Sequence, residues 1–311
     1  MSFPGLELPR SLAAGGLRVW LIVGILLRVT RLRDGWDFLA PVFYSTPWPV
    51  IAAGLAVLAA HCRRRGKGHA FRRYLVLTGG ALFTWVATSW YSAPAPDRAA
   101  DLRMIHWNVS RPDSLLRAKA AWLRGRQPDL ICLAEVEPRD QRTLDRWRAE
   151  FPEYELQTVR GNMACLVRGQ FIRSEVGELA PGSFYALHRL RVRGRALAVL
   201  QVDLNARPFR SRREPLRKLR ELAQTHAATG LIIAGDFNTP RESVHLQPLR
   251  KDFVQSFEAG GNGIAETWPV PLLALSLDQI WLSVPLRAIH CQHPWTWLSD
   301  HRPVIVDLAL D

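Results

Sequence analysis

The sequence predicts a layered α/β domain that follows an N-terminal region of transmembrane helices. The first hundred of its 311 residues contain three long apolar runs. The later residues instead contain short runs rich in Ile, Val and Leu that alternate with helical stretches, a pattern typical of layered α/β folds. Hydrophobic residues make up 48% of the chain and charged residues 22%, which excludes a disordered or fibrous protein.

The N-terminal region has three apolar runs: Leu17 to Val29, Val42 to Ala60, and Tyr74 to Tyr91. A helix needs about 20 residues to cross a bilayer, and the second and third runs are close to that length. Arg18 and Arg28 interrupt and close the first run, which spans a membrane only if Arg18 extends its charged end to the interface. We therefore expect residues 1–91 to form a membrane anchor of two or three transmembrane helices. The alternative for each run is a buried core helix.

Most of the net charge of +13 lies in this region. Residues 1–100 carry 12 Lys and Arg against 4 Asp and Glu, a balance of +8, and the later residues carry 29 against 24, a balance of +5. Six of the basic residues, with no acid among them, lie in the segment 61–73 between the second and third runs. Basic segments of this kind face the cytoplasm. We therefore expect an integral protein of the inner or plasma membrane, anchored in the lipid bilayer, whose later residues are extracytoplasmic.

A Pro- and Ala-rich linker over residues 92–100 separates the anchor from a domain over residues 101–311. Seven short apolar runs in this domain are predicted strands: Arg103 to Val109, Leu130 to Ala134, Met163 to Val167, Ala196 to Val202, Leu231 to Ala234, Gln279 to Leu282, and Val304 to Leu308. The helical stretches between them include Leu115 to Arg126 and Glu214 to Thr229. The strands and helices together predict the layered domain.

Polar side chains stand where four of the predicted strands meet a loop. Asn108 and Glu135 end two strands, Gly235 to Pro240 (GDFNTP) ends a third, and Ser299 to Pro303 (SDHRP) precedes the last. A single Asp after a strand is most often a turn or cap residue. Four such strand ends in one domain indicate a site at one edge of the sheet, the usual location in layered α/β proteins.

Five motifs, in this order, resemble those of the endonuclease/exonuclease/phosphatase superfamily, which includes DNase I-like nucleases, exonuclease III-like repair enzymes, sphingomyelinases and inositol polyphosphate 5-phosphatases. They are WNV at Trp107 to Val109, PDLICLAE at Pro128 to Glu135, GDFNTP at Gly235 to Pro240, LDQIW at Leu277 to Trp281, and SDHRPV at Ser299 to Val304. The resemblance covers the whole domain. It implies a four-layer sandwich, with two β-sheets face to face and helices outside, and a divalent metal at one end. The activity it implies is that of a phosphoric-ester hydrolase.

Hydrolysis of a phosphate ester needs a hard cation, a group that activates water, and donors to the phosphoryl oxygens. Glu135 is the best candidate ligand for Mg²⁺, with Asn108 beside it and Mn²⁺ as the alternative ion. The resemblance makes the matching Glu the principal metal ligand. Asp300 would contact the metal or its water.

The other motif residues have candidate catalytic roles. Asp236 and Asn238 alternate around Phe237, so an extended backbone would direct both to one side and Phe237 into the core. Asp236 would orient or deprotonate the water, and Asn238 would donate to a phosphoryl oxygen. The resemblance supplies Asp278 as the partner that orients His301 and raises its pKa. Whether Asp236 or His301 is the base stays open.

One position departs from the resemblance. Many members have a His after the strand that ends here at Val202, and this chain has Asp203 instead, unless Asn205 takes that place. An ionised carboxylate cannot donate to phosphate and repels it. Asp203 would therefore bind a second metal, stay protonated, or be structural. Because leaving-group assistance is in doubt, a catalytically impaired, membrane-bound phosphate- or lipid-binding module is the alternative function.

The densest basic run of the domain follows this strand. Its members nearest the strand are the candidate ligands of substrate phosphate: Arg207, Arg210, Arg212 and Arg213. They would contact nucleic-acid phosphates or anionic lipid headgroups, and the alternative is a solvated helix face. His106 lies two residues before Asn108 on the same strand face. It would either border the site or be a core or edge residue, and we expect the second. The sequence predicts no oligomeric state.

Overall fold

A computed structural model describes residues 10–95, 98–111, 113–136, 141–159 and 161–310 of the chain. The chain divides into two compact units, Met1–Thr88 and Ser89–Asp311. The linker over residues 92–100 and the domain boundaries inferred from the sequence stay predictions. Ser92, the first linker residue, is also the last residue of a short strand.

The N-terminal unit is helical. Its helices are α1 (Arg10–Val29), α2 (Ala40–Ser45), α3 (Trp48–Arg64) and α4 (Gly68–Ser89). The second apolar run is therefore divided between α2 and α3, because Pro47 has an extended backbone (ψ 158°) and serves as the N-cap of α3. The basic segment 61–73 belongs to the end of α3 and the start of α4 and is non-helical only over 65–67. The buried side chains of Leu21, Ile51 and Leu58 belong to the apolar core of this unit.

Among the described residues, no helix combines the length and the apolar character needed to cross a bilayer. The transmembrane spans expected from the sequence are therefore not supported. The second run is shortened by the break at Pro47 to a helix of 17 residues, whose last turn contains His61, Arg63 and Arg64. Helix α4 includes Arg72 and Arg73 near its start.

The C-terminal unit is built on two β-sheets. Its strands are β1 (Trp90–Ser92), β2 (Leu102–Arg111), β3 (Leu130–Val136), β4 (Glu155–Val159), β5 (Met163–Val167), β6 (Gly169–Ala180), β7 (Ser183–Val192), β8 (Arg195–Asp203), β9 (Leu231–Asp236), β10 (Val254–Gln255), β11 (Gly261–Ile264), β12 (Asp278–Leu282), β13 (Leu286–Gln292) and β14 (Val304–Leu310). One sheet has eight strands in the order β1-β11-β13-β14-β2-β3-β5-β4, and the other has six in the order β10-β12-β9-β8-β7-β6. Both sheets are mixed, since β2 pairs in parallel with β3 and β8 with β9.

A single apolar layer lies between the sheets. Alternate residues of the strands face it, among them Met104 of β2, Cys132 of β3, Val199 of β8 and Ile280 of β12, all buried. Period-two alternation explains this layer, because successive side chains of a strand point to opposite faces. The remaining residues of the same strands face helices.

Helices cover the outer faces of the sheets. Helices α5 (Leu116–Arg124) and α6 (Gln141–Glu150) pack on the eight-stranded sheet, and α7 (Arg213–Gln224) packs on the six-stranded one. A short helix, α8 (Ser256–Gly260), follows β10. The structure thus confirms the expectation of two face-to-face sheets flanked by helices. The parallel pairs β2–β3 and β8–β9 bring four strand ends to one edge of the sandwich, where the polar motif residues lie.

Candidate active site

Asn108 joins the two sheets at this edge. It is buried on β2, and its Nδ2 donates to Oε1 of Glu135 on β3 at 3.2 Å and to Oδ2 of Asp236 on β9 at 3.0 Å. Its Oδ1 accepts from the backbone N–H of Ser110 at 2.9 Å. Glu135 has a left-handed backbone (φ 55°). The amide of Asn108 therefore holds two carboxylates from opposite sheets together.

Asp278 and His301 form a buried pair beside Asp236. Asp278 is the first residue of β12 and stands directly opposite Asp236 in the antiparallel pairing of β12 with β9. His301 Nδ1 lies 2.8 Å from Asp278 Oδ2, and the other oxygen, Oδ1, lies 3.3 Å from Nε2 of His106 on β2. Each carboxylate oxygen of Asp278 therefore faces one imidazole. The sequence predicted this pairing of Asp278 with His301 only from the family resemblance, and in the structure the two side chains are in hydrogen-bond contact.

The backbone around this pair is fixed by hydrogen bonds. Thr267 Oγ1 accepts from the N–H of Asp278 at 3.2 Å. Ser299 Oγ accepts from the N–H of His301 at 3.1 Å and donates to the carbonyl of Asn108 at 2.8 Å. The indole N–H of Trp107 donates to the carbonyl of His301 at 3.0 Å. These contacts explain why the short loop before β14 holds His301 against the end of β2.

The pKa values of Asp236, Asp278 and His301 are all shifted from their ordinary values. Burial, together with the charge of Asp278, raises the pKa of Asp236 to about 6. Burial alone would raise the pKa of Asp278, but the charge of His301 and the hydrogen bonds from His106 and His301 hold it well below its usual range. Burial alone would lower the pKa of His301, but the Asp278 carboxylate raises it to about 10, with smaller contributions from Asp236 and Asp300. At neutral pH the site therefore contains an imidazolium held by an ionised carboxylate.

The donor set at one side of the site fits a divalent cation. Glu135 and Asp236 converge on one amide nitrogen, so two carboxylate oxygens lie within two hydrogen-bond lengths of each other. Hard cations such as Mg²⁺ prefer oxygens of this kind. Potential ligand atoms of Asp236, Asp278 and His301 also lie within 4.8 Å of one another. Asp278 and His301 bind each other, however, so Asp236 is the member of that group that fits a cation best.

Asn238 lies beyond the end of β9. Its backbone is left-handed (φ 46°), its N–H donates to Asp236 Oδ1 at 2.8 Å, and its Nδ2 donates to the carbonyl of Leu204 at 2.8 Å. Phe237 between them is buried, as expected. The extended backbone expected for this segment is not observed, because β9 ends at Asp236 and the chain turns there. Asn238 is thereby held beside Asp236.

The four candidate arginines have different environments. Arg212 is only 2% exposed, and its Nε donates to the carbonyl of Asn238 at 3.1 Å while Nη2 donates to the carbonyl of Arg207 at 3.3 Å. Arg207, Arg210 and Arg213 are exposed. Arg212 therefore supports the turn that carries Asn238, and the other three line the adjoining surface loop and the start of α7.

Asp203 and Asn205, the two candidates for the position where this chain departs from the family pattern, lie in different surroundings. Asp203 is the last residue of β8 and stands beside Asp236 in the parallel pairing of β8 with β9. Asn205 instead donates from Nδ2 to the carbonyl of Pro181 at 3.2 Å and accepts from the N–H of Arg207 at 2.9 Å. The structure thus brings Asp203 to the edge of the site and engages Asn205 in the loop beside the β6–β7 turn.

Asp300 lies at the exposed margin. Its Oδ2 accepts from the indole N–H of Trp268 at 3.2 Å, and the centroids of the Trp268 and His301 rings lie 6.3 Å apart.

Two contacts at the site were not predicted from the sequence: that of His106 with Asp278 and that of Arg212 with Asn238. The position of His106 on the same strand face as Asn108 was a usable signal for the first contact. The sequence contains no local signal for the second.

A protein-family model matches the part of the chain that contains these residues. The model of the Endonuclease/Exonuclease/phosphatase family matches residues 105–301, which include Asn108, Glu135, Asp236, Asp278 and His301. No curated protein is similar enough to match the chain.

Solved structures with the same fold cover about two thirds of the chain. An endonuclease/exonuclease/phosphatase from Bacteroides vulgatus is 17% identical, with a TM-score of 0.58, and the match covers 68% of this chain and 99% of that one. A mannosyl-6-phosphatase from Bacteroides thetaiotaomicron is 15% identical, with a TM-score of 0.56, and the match covers 68% and 100%. TDP2 from D. rerio, complexed with single strand DNA product, is 17% identical, with a TM-score of 0.54, and the match covers 67% and 98%. At these identities the similarity concerns the fold.

Proposed function

The chain belongs to the endonuclease/exonuclease/phosphatase family, whose members hydrolyse phosphoester bonds, and we propose that it is a metal-dependent phosphoric-ester hydrolase. One observation carries the proposal. The Asp278–His301 pair at 2.8 Å lies beside Asp236, and the Asn108 amide ties Asp236 to Glu135. A proton donor therefore lies beside two carboxylates that would bind a cation, and one of these, Asp236, would also orient the attacking water.

Glu135 and Asp236 would hold the cation, with Asp300 at the margin and Asn108 steadying both carboxylates. We propose Mg²⁺, with Mn²⁺ as a substitute, because the donors are oxygens. The bound cation would neutralise charge on the phosphoryl group. Both carboxylates converge on the single amide donor of Asn108, and this clustering of carboxylate oxygens supports a site that binds positive charge.

The chain's own residues would perform the proton movements. His301, oriented by Asp278 through Nδ1, donates from Nε2 to an oxygen of the phosphoryl group. Asp236 accepts a hydrogen bond from the attacking water and orients it in line with the leaving group. Asn238, held beside Asp236, donates its second amide hydrogen to a non-bridging oxygen. We assign the water to Asp236 because His301 is the protonated partner of the pair.

We propose a substrate from one of three classes: nucleic acid, a phospholipid headgroup ester or a small phosphate ester. The exposed Arg207, Arg210 and Arg213 on the loop held to Asn238 by Arg212 support a substrate with several phosphates or a charged headgroup surface. The solved structures of similar fold include a mannosyl-6-phosphatase and TDP2 complexed with single strand DNA product. A small phosphate monoester is therefore a third substrate to include in the assay.

The experiment is a substrate profile of the purified full chain. After EDTA treatment and addition of Mg²⁺, release of product is measured from bis-p-nitrophenyl phosphate, p-nitrophenyl phosphate, plasmid DNA and phospholipid vesicles. We expect hydrolysis of at least one probe, abolished by Glu135→Gln and His301→Gln and unchanged by His290→Gln, a control histidine on β13. Binding of phosphate or vesicles without hydrolysis of any probe would favour the impaired binding module instead.

We also propose that the N-terminal unit attaches the protein to a membrane, with the C-terminal unit outside the cytoplasm. Large apolar side chains of α1 and α4 are exposed, including Val29 (65%), Val76 (75%) and Phe83 (75%), and such surface is favourable against lipid. The basic segment 61–73 supports the orientation. Carbonate extraction of expressing cells should leave the full chain in the membrane pellet, and a C-terminal reporter phosphatase should be active only outside the cytoplasm. Recovery in the supernatant, or an inactive reporter, would contradict the respective part.

A further inference from the structure

His106 is a buried histidine next to the site that the proposed reaction does not use. It lies on β2 with no exposed surface, and its Nε2 is 3.3 Å from Oδ1 of Asp278. Among the described residues its Nδ1 has no hydrogen-bond partner. Because an ionised carboxylate only accepts hydrogen bonds, Nε2 of His106 must carry a hydrogen and donate it. The single polar contact that this side chain makes within the described part of the chain is therefore directed at the carboxylate that holds His301.

We propose that His106 is a positioning residue for the hydrolysis, acting through Asp278. By donating to Oδ1 it fixes the plane of the carboxylate, so that Oδ2 faces Nδ1 of His301 and leaves Nε2 as the ring nitrogen available to substrate. The inference rests on the proposed function, since it assigns a role within that site. His106 itself touches neither substrate nor cation in this scheme.

The geometry distinguishes this role from ordinary burial of a histidine. His188 is as deeply buried, but its partner is the hydroxyl of Ser174 at 2.8 Å, on the outer strands β6 and β7. His293 is buried against the ring of Phe257, with centroids 4.1 Å apart. Only His106, of these three, contacts a group that in turn binds the proposed proton donor. A buried carboxylate oxygen without a donor is costly, so the orientation of Asp278 depends on this contact.

The kinetic test compares two replacements in the full chain. His106→Phe fills the space without a donor, and His106→Gln supplies an amide N–H at about the place of Nε2. With bis-p-nitrophenyl phosphate, we expect His106→Phe to lower kcat by about 10- to 100-fold, with KM changed by less than about 3-fold, as for other residues that orient a reacting group. His106→Gln should recover most of the loss. If Phe prevents folding, His106→Leu serves as the variant without a donor.

A double-mutant cycle separates positioning from stability. In the Asp278→Asn background, the further change His106→Phe should lower kcat by less than about 3-fold, because its route to His301 is already broken. His188→Phe, the matched buried control, should keep the kcat of the wild type. Full additivity in the cycle, or equal losses in His106→Phe and His106→Gln, would overturn the proposal.

A spectroscopic measurement makes the test independent of activity. The Nδ1 proton shared by His301 and Asp278 gives a downfield ¹H resonance, which is assigned by its loss in His301→Gln. We expect this resonance to shift or broaden in His106→Phe and to return towards its original position in His106→Gln. An unchanged resonance in both variants would refute the positioning role. If the wild type hydrolyses no probe, the proposed function fails, and the resonance still decides whether His106 positions the pair.

Discussion

Replacement of Asp278 by Asn tests the electrostatics of the site. Asp278 has no exposed surface, and each of its two oxygens faces an imidazole, at 2.8 Å for His301 and 3.3 Å for His106. An Asn of the same shape offers one acceptor and no charge. One imidazole therefore meets an amide N–H in place of a carboxylate oxygen, and His301 loses the partner that raises its pKa to about 10.

The size of the effect follows from that pKa. Burial lowers the pKa of His301, so without Asp278 it should fall to the unperturbed value of about 6.5 or below. At pH 7.5 at most about one tenth of the molecules then retain the imidazolium. Loss of the fixed ring orientation adds to this, and we expect kcat at pH 7.5 to fall about 100- to 1,000-fold.

The pH profile gives the diagnostic result. In the wild type, activity requires ionised Asp236, whose pKa is about 6, and protonated His301, whose pKa is about 10, so it should rise through the first value and fall through the second. In Asp278→Asn the alkaline limb should move down by several pH units. The acid limb should also move down, because Asp278 no longer repels the charge of Asp236.

The assay is the initial rate with bis-p-nitrophenyl phosphate between pH 5 and 10 at saturating Mg²⁺, with circular dichroism at each pH to confirm that the variant is folded. An alkaline limb that stays near pH 10 in Asp278→Asn would refute the assignment of His301 as the protonated partner. A pH–rate profile of Asp278→Asn with a lower maximal rate but with both limbs at the wild-type pH values would also refute this assignment.

Three further predictions concern stability and metal binding. Burial lowers the pKa of His188 to about 4, so between pH 6.5 and pH 4 the unfolded chain binds a proton that the folded protein does not. The free energy of unfolding should therefore fall by about 3 kcal/mol from this residue as the pH drops through that window. Urea unfolding at pH 6.5 and at pH 4 should show a smaller fall in His188→Phe. Asn108→Ala leaves Glu135 and Asp236 without their shared donor, and we expect the free energy of unfolding in urea to drop by about 2 kcal/mol; a change under about 0.5 kcal/mol would contradict the bridging role. Millimolar Mg²⁺ should raise the Tm of EDTA-treated protein and should not raise that of Glu135→Gln, whereas equal shifts in both would place the cation elsewhere.

The strands that build the site could be read from the sequence because they are buried on both faces. Strands β3 and β9 appear as apolar runs that end in a polar residue of a motif, and the apolar residues of β12 follow Asp278 and Gln279. The hairpin of β6 and β7 was missed for the opposite reason. Strand β6 alternates exposed and half-buried residues and offers no apolar run, so its place in the six-stranded sheet depends on pairing with β7.

Contacts between sheets are the part of the site that the sequence could not predict. His106 meets Asp278 only because β12 crosses to face β2, and 172 residues separate the two in the chain. Arg212 belongs to a basic run whose usual meaning is a solvated helix face. Its burial under Asn238 depends on a loop conformation that composition does not encode.

In the N-terminal unit, the apolar runs were long enough to predict spans, but helix ends depend on single residues. Pro47 divides the second run, and the basic residues that were assigned to a connecting segment extend α3 and begin α4. No single described helix therefore contains an uninterrupted apolar segment as long as the runs in the sequence suggested.

The most direct test of the central claim is the rate of phosphodiester hydrolysis by the full chain before and after removal of metal. Wild-type protein, Asp236→Asn and the control His290→Gln are assayed with bis-p-nitrophenyl phosphate in Mg²⁺, then in EDTA, then with Mg²⁺ restored. We predict activity in wild type and His290→Gln that disappears in EDTA and returns with Mg²⁺, and no activity above background in Asp236→Asn. Hydrolysis that persists in EDTA, or that survives Asp236→Asn, would contradict it.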